Sequence, residues 1–123
     1  LIGSRDQRLY MYHEMDDDDL EHAVAAIKQR SDMITSKGIR YVFVVVPAKQ
    51  TIYSSAPDKY TLNYVGALTR RLQELGVETI NLVDEFHVYA RFELYRNFDT
   101  HWNGKGVRVA VKKIENYLNA TEY

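Results

Sequence analysis

Residues 37–47, Lys-Gly-Ile-Arg-Tyr-Val-Phe-Val-Val-Val-Pro, decide the fold class. The run Ile39–Val46 is almost entirely β-branched or aromatic, which is typical of a parallel strand that is covered on both faces. Pro47 ends the strand, because proline lacks the N–H that a sheet requires. Lys37-Gly38 has the composition of the last turn and C-terminal glycine of a preceding helix. A helix that leads directly into a buried strand is one half of a repeating βα unit.

The order of helix, glycine and strand occurs a second time farther along the chain. Apolar residues recur at helical spacing before each glycine. In the first helix these are Leu20, Ala23, Val24, Ile27 and Ile34, and in the second Leu62, Val65, Leu68, Leu72 and Leu75. Gly76 then precedes a second strand over Val77–Leu82, and Asp58 is a candidate cap for the second helix. Two such units predict an α/β fold with a mainly parallel open sheet and right-handed crossovers.

Other segments complete the predicted order of elements. A short strand is predicted over residues 7–13, a turn or short helix over Asp84–Phe92, and a last helix over Gly104–Asn119. Three aromatic residues of the short helix are predicted to face the core: Phe86, Tyr89 and Phe92. The apolar stripe predicted for the last helix consists of Val107, Ala110, Val111, Ile114 and Leu118. The acidic run Asp16–Asp19 directly precedes the first helix. Its carboxylates are interpreted as complementing the positive N-terminal end of the helix dipole rather than as a metal site.

Composition limits the classes of function. A chain of 123 residues with 46% hydrophobic and 27% charged residues is typical of one soluble globular domain. A formal charge of −1 gives no electrostatic case for nucleic-acid binding. The lack of cysteine excludes disulfides and thiolate sites, and no apolar run is long enough to span a membrane. Because the chain begins with Leu1, we expect it to be a piece of a longer protein.

The candidate chemistry is carried by Asn97-Phe98-Asp99-Thr100-His101-Trp102-Asn103-Gly104-Lys105-Gly106. Asp99 and His101 are two residues apart, so their side chains project to the same side of an extended segment. A carboxylate can hold one imidazole nitrogen as a donor and stabilise the imidazolium that forms when the other nitrogen accepts a proton. The pattern therefore predicts the base half of a nucleophile–His–Asp triad. The alternative is a turn aspartate beside a surface histidine.

Four further residues are candidates for substrate binding. Trp102 could shield the acid–imidazole pair from water or form a wall for a sugar ring. Asn103 is a good N-cap for the helix that follows. Lys49 and Tyr53 follow the first long strand, and ligands of open α/β sheets gather beyond the carboxyl ends of the strands. Their alternatives are a solvated lysine and a packed tyrosine.

Asp99-Thr100-His101-Trp102-Asn103, followed by Gly106, resembles the Asp-x-His-Trp signature of the SGNH-hydrolase-like proteins of alginate O-acetylation, the AlgJ/AlgX type. Looser similarity extends over nearly the whole chain, at Leu1–Tyr12, Val44–Tyr53 and Gly76–Asp84. The resemblance implies a three-layer, SGNH/flavodoxin-like open sheet with mainly parallel strands. Residues 1–123 would form one such domain, and that domain is expected to be incomplete.

The resemblance also implies a function. Asp99 and His101 take the roles of triad members in acyl transfer to an extracytoplasmic polysaccharide, in the periplasm or at the cell surface. The nucleophilic serine is expected outside this chain, so the 123 residues alone should show little esterase activity. The expected partners are a polysaccharide substrate and an acetyl donor, and no cofactor is expected. The alternatives are a carbohydrate esterase with the same triad and a non-catalytic carbohydrate-binding or scaffold relative.

Three minor alternatives remain open. Ser4, Ser54 and Ser55 are the candidates for a nucleophile within the chain. A metal site would need Asp99 and His101 to be joined by His87 or His13 as a third ligand. An open sheet edge would also allow the chain to associate with itself.

Overall fold

The computed structural model describes residues 17–53 and 59–121. The strand predicted over residues 7–13, the cap Asp58 and the residues Ser4, His13, Ser54 and Ser55 lie outside these ranges. The helices are α1 (Asp17–Thr35), α2 (Lys49–Tyr53), α3 (Lys59–Glu74), α4 (Val83–Val88) and α5 (Gly104–Ala120), and the strands are β1 (Val42–Val45) and β2 (Glu78–Asn81). A 3₁₀ turn covers Ala90–Phe92.

The two strands confirm the predicted parallel pairing. β1 and β2 run parallel with Val42 opposite Glu78 and Val45 opposite Asn81. Each has one partner within the described ranges. β1 is shorter than the predicted Ile39–Val46, and Ile39 is 57% exposed. The glycines that precede the strands, at positions 38 and 76, have positive φ angles, as predicted for helix C-termini.

Two apolar cores lie on opposite faces of the sheet, which makes the fold a three-layer α/β arrangement. Neighbouring β1 residues divide between the cores, because alternate side chains of a strand point to opposite faces. On the face of α1 and α3, Phe43 packs against Val24, Leu68, Leu72 and Val77. On the face of α4 and α5, Val42 and Val44 pack against Ile80, Leu82, Phe86, Leu94 and Ala110. The α/β class is therefore confirmed, with a small parallel sheet.

The stripe predicted for the last helix is confirmed in part. Ala110 is buried and Ile114 packs against the core, but Val107, Val111 and Leu118 are exposed and Gly106 is buried instead. Gly106 lies against the backbone of another segment, because a Cβ at this position would overlap the Leu94 carbonyl oxygen. The helix packs with Gly106 facing the core. A stripe predicted from hydrophobic residues alone does not include glycine, so it misses this position.

The short helix before the motif also differs in part from its prediction. Phe86 is fully buried as predicted, but Tyr89 and Phe92 are 40% and 43% exposed. Their rings lie 6.3 Å apart, and the Arg91 guanidinium lies 4.5 Å from the centre of the Phe92 ring. Tyr89 and Phe92 both lie beyond Val88, where α4 ends. The segment after β1 contains the short helix α2, which the sequence patterns do not predict.

Candidate active site

The motif forms a closed loop beside the carboxyl end of β1. Tyr95 and Trp102 form an antiparallel bridge. The Arg96 N–H donates to the His101 carbonyl oxygen at 3.0 Å. The Tyr95 hydroxyl donates to the carbonyl of Pro47 at 2.5 Å, two residues after β1 ends. Residues 96–101 are thereby closed at their base and joined to the end of the strand.

Asp99 and His101 lie in direct contact within this loop. Asp99 Oδ1 lies 2.5 Å from His101 Nδ1 and also accepts the His101 backbone N–H at 3.1 Å. The hydrogen bond from the His101 ring holds the pKa of the Asp99 carboxyl below its ordinary value. An ionised carboxylate only accepts hydrogen bonds, so Nδ1 carries the proton. In a neutral ring, Nε2 is then left as the acceptor.

The pair is open to solvent within the described part of the chain. The His101 side chain is 76% exposed and that of Asp99 is 39% exposed. Trp102 does not cover them, because it packs into the core and its ring centre lies 6.4 Å from that of Phe86. The sequence-based suggestion that Trp102 shields the pair is therefore not supported by its position. Water can reach His101 in this arrangement.

Asn103 is the N-cap of α5, as the sequence predicts. Its Oδ1 accepts from the N–H groups of Lys105 at 2.9 Å and Gly106 at 3.0 Å. Its Nδ2 donates to the carbonyls of Glu93 at 2.5 Å and Tyr95 at 3.3 Å. The whole amide is therefore engaged in joining the motif loop to the helix.

Lys49 and Tyr53 contact the protein rather than presenting free polar groups. The Lys49 Nζ donates to the carbonyls of Arg96, Asn97 and Asp99. The Tyr53 hydroxyl donates to the Ala90 carbonyl at 2.5 Å and accepts the Leu94 N–H at 3.0 Å. Both residues line a cavity of about 240 Å³ with Glu93, Tyr95 and Asn97. They border the site, as a rim residue would, but their polar atoms already have partners.

The metal alternative gains no support from the described residues. Within residues 17–53 and 59–121, no three His, Asp or Glu side chains lie close enough together to hold an ion. His87, one of the two proposed third ligands, is exposed on α4. The other, His13, lies outside the described ranges.

Sequence reasoning missed two contributors to this site. Tyr95 joins the loop to Pro47, and no local pattern marks a contact between residues that are 48 positions apart. Gly106 allows α5 to pack closely against Leu94, and here a signal was available. Glycine weakens a helix, so a glycine in the first turn of an otherwise regular helix indicates close backbone approach.

The described residues form an α/β fold of parallel βα units, with an acid–imidazole pair beside the carboxyl end of β1. The family model described as "SGNH hydrolase-like domain, acetyltransferase AlgX" matches residues 2–123, and the chain belongs to this family. The resemblance seen in the Asp-x-His-Trp stretch is thereby confirmed. No curated protein and no solved structure matches the chain significantly. None of the helices in the described ranges is long and apolar enough to cross a membrane.

Proposed function

We propose that this chain supplies the general base of an acetyl-transfer reaction. A serine hydroxyl attacks the carbonyl carbon of an acetyl ester while His101 Nε2 takes the hydroxyl proton. The imidazolium then returns that proton to the leaving alkoxide, and an acetyl-serine remains. In the second half, His101 deprotonates a sugar hydroxyl, which attacks the carbonyl carbon of the acetyl-serine. The imidazolium then protonates the departing serine oxygen, so that the serine and neutral His101 are restored and the acetylated sugar is released. Asp99 orients the ring and stabilises its charged form throughout.

The observation that carries this proposal is the contact between Asp99 Oδ1 and His101 Nδ1 at 2.5 Å. It supports one tautomer of the ring, with Nε2 free to accept a proton. The depressed pKa of Asp99 supports a carboxylate that is ionised at neutral pH. Both are requirements for a base of this kind.

We propose that the nucleophilic serine lies outside this chain. The described serines, Ser31 and Ser36, lie at the end of α1 and just after it. Ser31 lines a cavity with Arg40 and Glu78, at the amino ends of the strands. The His–Asp pair lies beside the carboxyl end of β1, so neither serine is suited to serve it. Residues 1–123 are accordingly taken as part of one larger SGNH-like domain.

The substrate part of the proposal follows from the family. We propose that this protein, as an acetyltransferase of the AlgX family, acts on a polysaccharide outside the cytoplasm and takes the acetyl group from a separate donor. Lys49, Tyr53, Trp102 and Asn103 border the site and would contact the sugar through their exposed surfaces only. Each strand also has an unpaired edge within the described ranges, through which the chain could associate with itself.

A carbohydrate esterase is the second candidate, and the exposure of His101 favours it. A side chain that is 76% exposed admits water, which would replace the sugar hydroxyl as acceptor of the acetyl group. The ratio of acetylated sugar to free acetate, measured with an alginate oligosaccharide as acceptor, separates the two reactions. More sugar ester than acetate supports the transferase.

The test of the base is His101→Ala in the full-length protein, with 4-nitrophenyl acetate as donor. We expect acetyl release to fall by about 10²–10⁴-fold, the usual contribution of a positioned general base. His87→Ala is the matched control, since His87 is exposed on α4, and it should leave the rate unchanged. Undiminished activity in His101→Ala would refute the assignment. Loss of activity in Ser4→Ala, Ser54→Ala or Ser55→Ala would instead place the nucleophile within the chain.

A further inference from the structure

Lys49 is bound to the loop that carries the acid–imidazole pair. It is the first residue of α2, and its Nζ lies 2.6 Å from the Arg96 carbonyl oxygen and 3.3 Å from those of Asn97 and Asp99. A lysine ammonium has three N–H donors and no acceptor. The three carbonyls therefore account for every hydrogen bond that this group can donate. No donor is left for a substrate.

The loop needs this cation because little else holds its tip. Phe98 is 97% exposed and the His101 side chain is 76% exposed, so the tip has no apolar core of its own. Three carbonyl oxygens that converge on one point would repel each other without a positive charge between them. The ammonium removes this repulsion and ties the loop to the end of β1.

Tyr53, the neighbour of Lys49 on α2, also binds backbone groups of the protein. Lys49 and Tyr53 are four residues apart and so share one face of α2. The Tyr53 hydroxyl binds the backbone at Ala90 and Leu94, just before the loop. Through these two side chains, one face of α2 binds the backbone before the motif and within it. Of the two residues, Lys49 is the one whose hydrogen bonds reach the loop beyond Tyr95.

We propose that Lys49 is a positioning residue, whose ammonium fixes the backbone of Asp99 and thereby the orientation of the Asp99–His101 pair. It touches neither the Asp99 carboxylate nor the His101 ring in the hydrogen bonds it makes. This assignment rests on the proposed function for its catalytic consequence. Its structural part stands on the three carbonyl contacts alone.

The test compares Lys49→Met with wild type by backbone amide hydrogen exchange, in the absence of substrate. The Arg96 and His101 amides, which bond to the His101 carbonyl and to Asp99 Oδ1, report closure of the loop. We expect both to exchange about ten-fold faster or more in the variant. The Leu82 amide, bonded to Val45 at 3.1 Å, should not change. Unchanged exchange at Arg96 and His101 would overturn the proposal.

Two further variants keep the test decisive. Lys28→Met is the matched control, since it removes an ammonium that bonds to Asp32 on α1 at 2.7 Å, and loop exchange should stay as in wild type. Lys49→Arg keeps the charge, but a planar guanidinium cannot bond to three carbonyls around one point. It should give intermediate exchange, and it serves as the test if Lys49→Met does not fold. Wild-type exchange in Lys49→Arg would then overturn the proposal.

The kinetic measurement separates positioning from substrate binding. In the acetyl-release assay, Lys49→Met should lower kcat about ten-fold or more and leave KM unchanged. A higher KM with an unchanged kcat would show a substrate-binding lysine and overturn the positioning role. The exchange measurement requires no activity. Failure of the function proposed for His101 is therefore distinguishable from failure of this assignment.

Discussion

At the scale of single residues, Asp99 is the group on which the site depends. Its Oδ1 accepts hydrogen bonds from both the ring and the backbone N–H of His101. The ring proton fixes the tautomer, and the backbone N–H fixes the turn. One carboxylate oxygen therefore sets both the chemistry of the ring and its direction.

This double role gives the loop a defined pH dependence. The pKa of Asp99 is depressed in the folded protein, mainly by the His101 ring. Its stabilising contribution is therefore complete above the unfolded value of about 3.9 and is lost as the pH falls through the lower, folded pKa. We expect the His101 amide chemical shift to titrate with a midpoint below that unfolded value. Asp99→Asn should abolish the transition, and a wild-type midpoint at or above the unfolded value would contradict the contact.

At the scale of elements, close packing of α5 against the motif decides where the loop lies. Gly106 is buried in the first turn of α5, and a side chain there would meet the Leu94 carbonyl and the Trp102 Cβ. Asn103 joins the same turn to Glu93 and Tyr95. The helix start and the loop base therefore form one packed unit.

Two glycine-to-alanine changes in helices should have opposite effects. Gly106→Ala should lower the free energy of unfolding by about 1–3 kcal/mol, because the new methyl group overlaps backbone that cannot move aside. Gly66→Ala, inside α3, should raise it by about 0.5–1 kcal/mol, since nothing lies within 4 Å of the added Cβ and alanine favours helix. Urea unfolding of both variants measures the difference. Equal stability of the two would contradict the close approach at Gly106.

At the scale of the whole molecule, Arg40 joins the amino ends of both strands to the end of α5. Its guanidinium binds the two carboxylate oxygens of Glu78 at 2.9 and 2.6 Å and the hydroxyl of Thr121 at 2.7 Å. Tyr117 donates to Glu78 at 3.0 Å. The Arg40 contact holds the pKa of the Glu78 carboxyl below its ordinary value. This network lies at the end of the sheet away from the motif.

A double-mutant cycle measures what this network contributes. For Arg40→Met and Glu78→Gln we expect a coupling energy of about 1–2 kcal/mol, between that of an exposed pair and that of a buried charged hydrogen bond. The Lys28–Asp32 pair, whose side chains are 35% and 59% exposed, is the control and should give no more than about 0.5 kcal/mol. Similar coupling in the two cycles would show that Arg40 does not act as a link between elements.

The same scale explains what could be predicted from the sequence. The parallel strands and their helices follow from local patterns, such as the β-branched and aromatic run Ile39–Val46. The spacing predicts the contact between Asp99 and His101 for an extended segment, but it forms in a turn in which Asp99 Oδ1 also accepts the His101 N–H. Hydrophobic periodicity identifies Ala110 and Ile114 on the buried face of α5 but not Gly106, because glycine does not contribute to a hydrophobic stripe and its burial depends on the Leu94 carbonyl of another segment. The contacts of Lys49 likewise join residues 47–50 positions apart, which only the folded chain brings together.

The most direct test of the account is the kcat of Asp99→Asn for acetyl transfer by the full-length protein at neutral pH. The amide introduced by Asp99→Asn carries no negative charge, so it cannot fix the His101 ring in the same tautomer or stabilise the imidazolium. We therefore expect kcat to fall by about 10³-fold or more. The control is Asp84→Asn, on the exposed side of α4, which should keep the wild-type kcat. If Asp99→Asn is as active as Asp84→Asn, the acid–imidazole pair is not the proton-transfer site of this protein.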